Sequence, residues 1–444
     1  MNASPDYREK PSFGEATRVF ARIGLLSFGG PAGQIALMHR VLVDEKRWLD
    51  EARFLHALNY CMLLPGPEAM QLATYAGWLL HGVRGGLVAG LLFVLPGAVV
   101  LIALSALYLL VGGVPLVQGL LFGLKAAVLA VVLEALVRVS RRALRNGAMV
   151  ALAVAAFVAI AFLHIPFPVI ILGAALCGIL VPVSQPGQGG SGNGPALITD
   201  MPEWARPSTA RFASTLAVWL ALWFGPLLLL HLTLGAQHVF AAEASFFSKM
   251  AAVTFGGAYA VLAYVAQQAV EVYGWLKPDE MLTGLGLAET TPGPLILVLV
   301  FVGFLGGARL SGLDPLTGGL IGALVTLWFT FVPCFLWIFV GAPYVERVRN
   351  VRWLSRALSA VTAAVVGIIA NLAVWFALHV LFGSVGEVAA GPFRIPVPDL
   401  TTFDAAAAVI AAASAFALLR LHANMLVVLG AAALAGMLLL IFAY

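Results

Sequence analysis

The sequence has few charged residues. Only 10% of its 444 residues are Asp, Glu, Lys or Arg, whereas a soluble globular domain has about 25%. Hydrophobic residues make up 61% of the chain, and its mean hydropathy is +0.99. The net charge of +4 is small and scattered, which excludes the basic footprint of a nucleic-acid-binding protein. These values exclude a soluble enzyme and predict a polytopic protein embedded in the lipid bilayer.

Motifs for metal and nucleotide binding are also absent from the sequence. The cysteines, Cys61, Cys177 and Cys334, stand far apart, without the spacing of a metal site. No two histidines are four residues apart, and no GxxxxGKS/T loop is present. The polar start of the chain has no small-residue cleavage site, so we expect no removable signal peptide. We therefore expect no metal, no cofactor, no enzymatic activity and no ATP-driven pumping.

Apolar stretches of about 20 residues, the length of a membrane span, recur along the chain. We place about thirteen segments, at 16–40, 54–80, 86–111, 115–137, 147–163, 166–183, 212–235, 247–270, 281–308, 316–342, 357–383, 403–419 and 424–443. A stretch rich in Gly, Ser and Pro at 184–211 interrupts them and is typical of a solvated linker. The domains predicted in this way are an amino-terminal repeat (1–183), a cytoplasmic linker (184–211), an extra inverting segment (212–246) and a carboxy-terminal repeat (247–444).

The chain contains an internal repeat. Three motifs of the first half return 227 positions later, namely Ser27-Phe28-Gly29-Gly30 as Thr254-Phe255-Gly256-Gly257, Trp48-Leu49 as Trp275-Leu276, and Pro65-Gly66-Pro67 as Pro292-Gly293-Pro294. Three features at one offset indicate a tandem duplication. An odd number of predicted segments separates the two starts, so the fold class that we predict is an all-α membrane protein with inverted-topology repeats and broken or re-entrant helices.

The Pro-Gly-Pro motifs predict helix breaks within apolar segments. Each proline lacks a backbone donor, so one half-helix should end and another begin there. The free N–H groups of a helix amino terminus favour an anion, and paired glycines allow close backbone approach. We predict an oxyanion site formed by Gly29, Gly30, Pro65, Gly66, Pro67, Gly256, Gly257, Pro292, Gly293 and Pro294. The alternative is that these motifs only kink helices and allow packing.

Several polar side chains inside the apolar segments are further candidates. Gln34 and Gln71 are candidate pore-lining donors, and Arg22 and Lys125 could compensate the charge of a doubly charged substrate. Arg22 could instead snorkel to the interface.

Two carboxylates are candidates for proton coupling. Glu68 and Glu289 lie beside the Pro-Gly-Pro motifs, although Glu68 could simply be stabilised at a helix start. Glu134 and Arg138 have the spacing of a local ion pair within a helix.

Basic residues suggest an orientation for the chain. With the amino terminus inside, the inner side of the predicted map holds the cluster Arg138, Arg141, Arg142 and Arg145, and most other arginines. The 40–53 loop and Arg309 fall outside, and Lys277 falls inside. This arrangement obeys the positive-inside rule.

These motifs resemble the chromate ion transporter (CHR) family. Leu26-Ser27-Phe28-Gly29-Gly30-Pro31, Arg47-Trp48-Leu49 and Leu64-Pro65-Gly66-Pro67-Glu68-Ala69 are similar to the amino-terminal domain of that family, and the run from Gly284 to Pro294 to its carboxy-terminal domain. The resemblance implies a bacterial inner-membrane protein that exports chromate, driven by the membrane potential or a proton gradient, and thereby confers resistance.

Three hypotheses follow from the residues and the resemblance together. The first is chromate efflux. The second is a carrier of sulfate or another oxyanion for which chromate is an analogue. The third, a membrane-embedded enzyme or scaffold, predicts a catalytic or metal cluster that the sequence lacks. The expected partners are the oxyanion and the lipid bilayer, with no nucleic acid. The protein could also form a homodimer.

Overall fold

The computed structural model describes residues 11–180, 207–255, 258–344 and 352–442, and this part of the chain is almost entirely helical. Its α-helices are α1 (Phe13–Leu25), α2 (Gly30–His39), α3 (Glu51–Cys61), α4 (Glu68–Val111), α5 (Pro115–Ala143), α6 (Gly147–Ala161), α7 (Phe167–Leu180), α8 (Thr209–Leu234), α9 (Val239–Val253), α10 (Ala258–Gln267), α11 (Pro278–Thr290), α12 (Val298–Leu310), α13 (Pro315–Gly341), α14 (Arg352–Leu381), α15 (Ala405–Leu419) and α16 (Met425–Phe442). Of the predicted linker, only 207–211 is described, and helix α8 already begins within it.

The helices recur in the same order in the two halves of the chain. Helices α1 to α7 have counterparts in α9 to α16, and α8 lies between the two sets without a counterpart. A π-helical turn follows both α2 and α10, at Arg40–Glu45 and Gln268–Val272. The long helices α4 and α13 each contain an internal proline, Pro96 and Pro333. The structure therefore repeats the helix pattern as well as the sequence motifs.

Helices α1 and α2 form a hairpin. Lys46, which follows α2, donates to the Glu15 carboxylate at 2.9 Å in the first turn of α1. The chain therefore enters along α1, turns at 26–29 and returns to the same end. The tip needs glycine, because Gly29 and Gly30 have φ of 86° and 71°, in the region that other residues seldom adopt.

Helices α11 and α12 form a second type of hairpin, with Pro292-Gly293-Pro294 at its tip. Arg309, at the end of α12, donates to both carboxylate oxygens of Glu280, at 2.6 and 2.7 Å, near the start of α11. Both arms thus return to one end of the molecule. The sequence prediction had put Lys277 and Arg309 on opposite sides, which this ion pair contradicts.

Helix α4 is also a hairpin, because it reverses at His81 and Gly82, where the backbone leaves helical φ and ψ. A Cβ added at Gly77 would overlap the backbone of Gly85, and one added at Gly90 would overlap the hydroxyl of Thr74. These contacts require two antiparallel arms, 68–80 and 83–111. Glycine lets the two arms touch through their backbones.

We name as the arginine end the end of the bundle that holds Arg84, after the reversal of α4, and Arg141 and Arg142, in the last turn of α5. The ring of Phe13 packs on His81 with centroids 5.5 Å apart, which brings the start of α1 and the reversal of α4 together. The ion pair between Glu15 and Lys46 lies at the same end, so the 40–53 loop lies with the start of the chain. The predicted placement of this loop on the far side is therefore wrong, since an apolar hairpin and an apolar span have the same composition.

Among the described residues, six helices are long and apolar enough to cross a membrane by length and composition. Four further apolar helices are shorter. The count of thirteen spans is not confirmed, because several of the predicted segments are arms of hairpins.

Within the described residues, the fold departs from an all-α protein in a β-hairpin. Strands β1 (Val385–Ala390) and β2 (Phe393–Pro398) form an antiparallel hairpin between α14 and α15. The N–H of Arg394 donates to the carbonyl of Phe162 at 2.9 Å, so this hairpin covers the turn between α6 and α7. That turn lies at the end opposite the arginine end, which we name the opposite end.

Candidate functional site

The tips of the hairpins meet at the centre of the molecule and join the two repeats. The N–H of Gly66 donates to the carbonyl of Thr254 at 2.8 Å, and the N–H of Gly293 donates to the carbonyl of Ser27 at 2.8 Å. Each donor and each acceptor lies 227 positions from its counterpart. Such reciprocal contacts are the signature of a twofold relation, here between two repeats of one chain.

These bonds use the amide groups that the sequence analysis expected to be free for an anion. The Pro-Gly-Pro tips are also tightly packed, because a Cβ added at Gly66 would lie 2.8 Å from the Cys334 sulfur. A Cβ added at Gly97 would overlap the carbonyl of Pro292. In this conformation, Pro65, Pro67 and Pro294 therefore shape a packed contact between repeats. Gly256 and Gly257 lie outside the described residues.

The two predicted glutamine donors are both at this centre. Gln34 is 1% exposed, and its amide donates to the carbonyls of Gly293 at 2.6 Å and Ser27 at 3.3 Å. Gln71 is fully buried and donates to the carbonyl of Pro65 at 2.8 Å. The side-chain oxygen of each has no hydrogen-bond partner among the described residues. Each of the two side chains therefore has an oxygen near the tips that can still accept a hydrogen bond.

The two predicted proton-coupling carboxylates lie beside the tips in different settings. Glu68 is half-buried in the first turn of α4. Glu289 is 4% exposed in the last turn of α11, and the hydroxyl of Tyr259 donates to it at 2.5 Å. The structure thus brings a tyrosine of α10, which the sequence analysis did not name, to a carboxylate at the second Pro-Gly-Pro motif.

The two predicted cations are engaged away from the centre. Arg22 has a side chain that is 61% exposed and lies 3.7 Å from the Glu45 carboxylate. Lys125 donates to Asp279 at 3.0 Å, which links α5 of the first repeat to α11 of the second. Arg22 therefore lies in the last turn before the α1–α2 tip but extends its side chain to Glu45, and Lys125 pairs with Asp279 away from the tips.

A cavity of about 700 Å³ opens at the arginine end and reaches the tip between α1 and α2. Its walls include Arg138, Arg141 and Arg142 at the end of α5, and Gly29 and Ala32 at its inner limit. The amino terminus of α2 has no side-chain cap at Gly29, so its partial positive charge faces the cavity. We name this cavity the arginine vestibule.

The charge balance of the arginine vestibule favours an anion. Arg138 is paired with Glu134 at 2.7 Å, as the i,i+4 spacing predicted, and this prediction is confirmed. Arg141 and Arg142 have no acidic partner among the residues that the structure describes. The turn before α16, including His422 and Asn424, closes the far wall, so a second helix amino terminus adjoins the cavity.

A smaller cavity of about 190 Å³ lies at the opposite end, which we name the opposite vestibule. Its α14 wall contains Asn371, Trp375 and His379, 237 positions after Glu134, Arg138 and Arg142. The turn between α6 and α7 lines the opposite vestibule. In the same way, the turn between α15 and α16 lines the arginine vestibule. The two cavities are therefore counterparts on opposite ends of the molecule.

The two vestibules differ in charge. The arginines of the first are replaced by neutral or titratable residues in the second, where Glu271 and Glu387 join the lining. Arg394, the basic residue there, lies 3.6 Å from Glu387. An oxyanion is therefore attracted at one end and meets a less favourable field at the other.

Arg141 and Arg142 were not among the candidate site residues predicted from the sequence, because the positive-inside rule already accounts for their charge. Only their position beside Gly29 connects them to a cavity. Among the described residues, no group of three or more His, Cys, Asp or Glu could hold a metal ion.

Comparison with known proteins identifies the family of the chain. The chromate transporter family matches residues 14–179 and 242–437. A probable chromate transport protein of Synechococcus elongatus is 27% identical over 84% of this chain and 86% of its own length. Chromate transport proteins of Cupriavidus metallidurans and Pseudomonas aeruginosa are 28% and 31% identical over 79% of this chain, and over 79% and 77% of their own lengths. No solved structure matches. The chain belongs to the chromate transporter family of multi-pass membrane proteins.

Proposed function

We propose that this protein exports chromate from the cytoplasm of a bacterium across the inner membrane and thereby confers chromate resistance. The observation that carries the proposal is the arginine vestibule, which leads from one end of the bundle to Gly29 at the hairpin tips. Chromate is a tetrahedral dianion, and arginines together with helix amino termini suit such a ligand. The relatives named as chromate transport proteins support this substrate.

The direction of transport follows from the two vestibules. The arginine end carries most of the basic loops and is therefore the cytoplasmic end by the positive-inside rule. Chromate would be captured there and released into the opposite vestibule, whose lining contains Glu271 and Glu387. Export of a dianion from a negative interior releases about 4.6 kcal/mol per 100 mV, so the membrane potential alone favours this direction.

Inverted repeats would provide alternating access. If each hairpin returns to its own end, five helical segments cross the membrane between the start of the first repeat and the start of the second. An odd number of crossings inverts the second repeat. We propose nine full crossings, formed by the arm 83–111 of α4 and by α5, α6, α7, α8, α13, α14, α15 and α16. The reciprocal bonds of Gly66 and Gly293 would lie at the centre, where the exchange of conformations closes one vestibule and opens the other.

The candidate residues at the centre have proposed roles. Gln34 and Gln71, with the backbone at 29–30, would bind the oxyanion after it leaves the arginines. Glu68 and Glu289 are proposed as proton acceptors beside the tips.

A second candidate function is a general oxyanion carrier. Sulfate has the same charge and shape as chromate, and the vestibule offers charge and helix termini to both. Competition by sulfate during chromate uptake into vesicles separates the two.

The proposal is tested by labelled chromate uptake into everted membrane vesicles, which expose the cytoplasmic end. Uptake that requires energisation, disappears with an uncoupler and persists in excess sulfate would support chromate export. Complete block by equal sulfate would favour the general carrier. Uptake no greater than in vesicles without the protein would contradict both.

A further inference from the structure

Glu243 is a buried carboxyl that no step of the proposed function uses. It lies in α9, is 0% exposed, and neither of its oxygens has a hydrogen-bond partner among the described residues. The position 227 residues earlier in the first repeat is Ala16. The carboxyl is therefore a feature of the second repeat alone, and neither packing symmetry nor hydrogen bonding explains it.

Glycines form the space around this carboxyl. A Cβ added at Gly306 of α12 would lie 2.7 Å from one oxygen of Glu243, and a Cβ added at Gly322 of α13 would lie 3.2 Å from the other. The ring of Trp275 also borders Gly306. The carboxyl thus fits between α9, α12 and α13, where glycine leaves room for it and supplies no side-chain donor.

Among the described residues, no charged group forms an ion pair or a hydrogen bond with Glu243. Arg309 of α12 is held by Glu280. His231 of α8 is hydrogen-bonded to Ser245 at 3.1 Å. Lys249 is on the exposed side of α9.

Helix α13, on the other side of Glu243, also carries no charged side chain. In α13, Cys334 is the sole titratable side chain, and it lies beside Gly66 at the tips. A carboxylate at position 243 would therefore be both buried and unpaired, which is prohibitively costly. The carboxyl must be protonated in this conformation.

We propose that Glu243 is the site that binds a coupling proton, carried into the cell against each exported oxyanion. This inference rests on the proposed function, which has Glu68 and Glu289 as proton acceptors beside the tips, and adds a proton site away from the tips. Release breaks the O–H bond, and the electron pair stays on the carboxylate. The proton leaves to water that is continuous with the cytoplasm and enters when α9 separates from α12 and α13, and external water returns a proton later in the cycle.

Helix α9 connects this event to the transport centre. Glu243 lies near the start of α9 at the opposite end, and Thr254, the acceptor of the Gly66 bond, follows the last turn. The intervening helix is rigid and about 15 Å long. A movement of α9 that hydrates the carboxyl therefore also displaces the hairpin tip, which links protonation to access.

The experiment uses the full-length protein in liposomes that contain a pH-sensitive dye. Chromate–chromate exchange and proton movement during net chromate flux are measured for wild type, Glu243→Gln, Glu243→Asp, Glu289→Gln and Glu68→Gln. Glu243→Gln mimics the neutral carboxyl, so we expect exchange to persist and chromate-linked proton movement to be lost. Glu243→Asp, which keeps a titratable group, should retain part of the proton movement.

Infrared difference spectra recorded against pH give a readout that does not depend on transport. The carbonyl band of a protonated carboxyl should be present in wild type, decline as the pH rises and be missing in Glu243→Gln. Wild-type proton movement in Glu243→Gln, or the same infrared band in that variant, would overturn the proposal. Absence of chromate exchange in wild type would instead contradict the proposed function, and the infrared band would still decide the state of Glu243.

Discussion

The N–H of Gly66 donates to the carbonyl of Thr254, 2.8 Å away, and so fastens a hairpin of the first repeat to a hairpin of the second. The N–H of Gly293 makes the equivalent bond to Ser27 in the reverse direction. Both contacts are made by the backbone, so they do not depend on which side chains surround them. A displacement of either tip must therefore be transmitted to the other repeat.

The first prediction concerns the conformation of Gly66. Its φ is 123°, and an added Cβ would lie 2.8 Å from both the Cys334 sulfur and the Gln71 amide. We expect Gly66→Ala to destabilise the protein by about 1–3 kcal/mol and to abolish chromate transport, because the tip bond would be displaced. Thermal unfolding of the purified protein and vesicle uptake measure the two effects.

Gly173→Ala is the matched control for this prediction. Gly173 lies within α7 and has nothing within 4 Å of an added Cβ, so alanine should leave transport unchanged. Equal transport by both variants would show that the Gly66 conformation is not needed.

The sequence predicted the repeat and helices that break or re-enter, but not which apolar stretches turn back as hairpins. The shared offset of the two Pro-Gly-Pro motifs revealed the duplication, because identical motifs are visible without a structure. An apolar stretch such as 16–40, by contrast, has one composition whether it crosses a membrane or turns back. The turn depends on Gly29 and Gly30 at positive φ and on a contact between Glu15 and Lys46, and neither is encoded as hydropathy.

Long-range packing explains the other features that could not be predicted from the sequence. Glu243 is the one carboxylate of α9, and its significance depends on Gly306 and Gly322, far along the chain. The sequence makes Lys125 a candidate for compensating the charge of the substrate, because a cation within a predicted span is costly without a partner. The structure supplies one in Asp279, which no spacing rule connects to it.

The second prediction concerns the arginine vestibule. Replacing both Arg141 and Arg142 by Gln removes two exposed positive charges, each contributing about 0.5–1 kcal/mol to anion capture. We expect the KM for chromate to rise about tenfold and its dependence on salt to weaken, with little change in the maximal rate. Initial rates of uptake into everted vesicles at several salt concentrations measure this.

Arg145→Gln is the control for the vestibule. Arg145 is on the same stretch of chain and donates to the carbonyl of Arg142, but it is not part of the cavity lining. Its replacement should leave the KM unchanged. A KM shift equal to that of the double variant would point to general surface charge and not to the vestibule.

The third prediction concerns the ion pair that closes the α11–α12 hairpin. Glu280 has a side chain that is 7% exposed, and that of Arg309 is 34% exposed. We expect Glu280→Gln to lower the free energy of unfolding by about 1–3 kcal/mol, since the arginine loses its partner but keeps some water. Asp279→Asn, which breaks the more exposed contact with Lys125, should cost less than about 1 kcal/mol. Similar losses in the two variants would contradict this ranking.

The fourth prediction concerns the pH dependence of stability at the end of α2. The hydrogen bond to Glu51 raises the pKa of His39 above its ordinary value of 6.5, with further support from Asp44. Because the folded-state pKa is raised, the stabilisation is fully present below pH 6.5 and is lost as the pH rises through the folded-state value. We expect His39→Gln to lower the Tm at acidic pH and to leave it unchanged at alkaline pH. Glu51→Gln should remove the same pH-dependent increment, and a constant difference across the range would exclude this pair as its source.

The fifth prediction tests the hairpin arrangement itself. The ion pair between Lys46 and Glu15 puts the loop after α2 at the arginine end, where Asn146 also lies, whereas Gly391 is in the turn of the β-hairpin at the opposite end. In a variant with its three native cysteines replaced by alanine, a membrane-impermeant thiol reagent should label Asp44→Cys and Asn146→Cys from the cytoplasm and Gly391→Cys from outside. An arrangement in which 16–40 crosses the membrane requires the reverse for Asp44→Cys alone. Labelling of Asp44→Cys therefore decides between a span and a hairpin. The two controls do not distinguish the arrangements, because Asn146→Cys is cytoplasmic and Gly391→Cys is external in both.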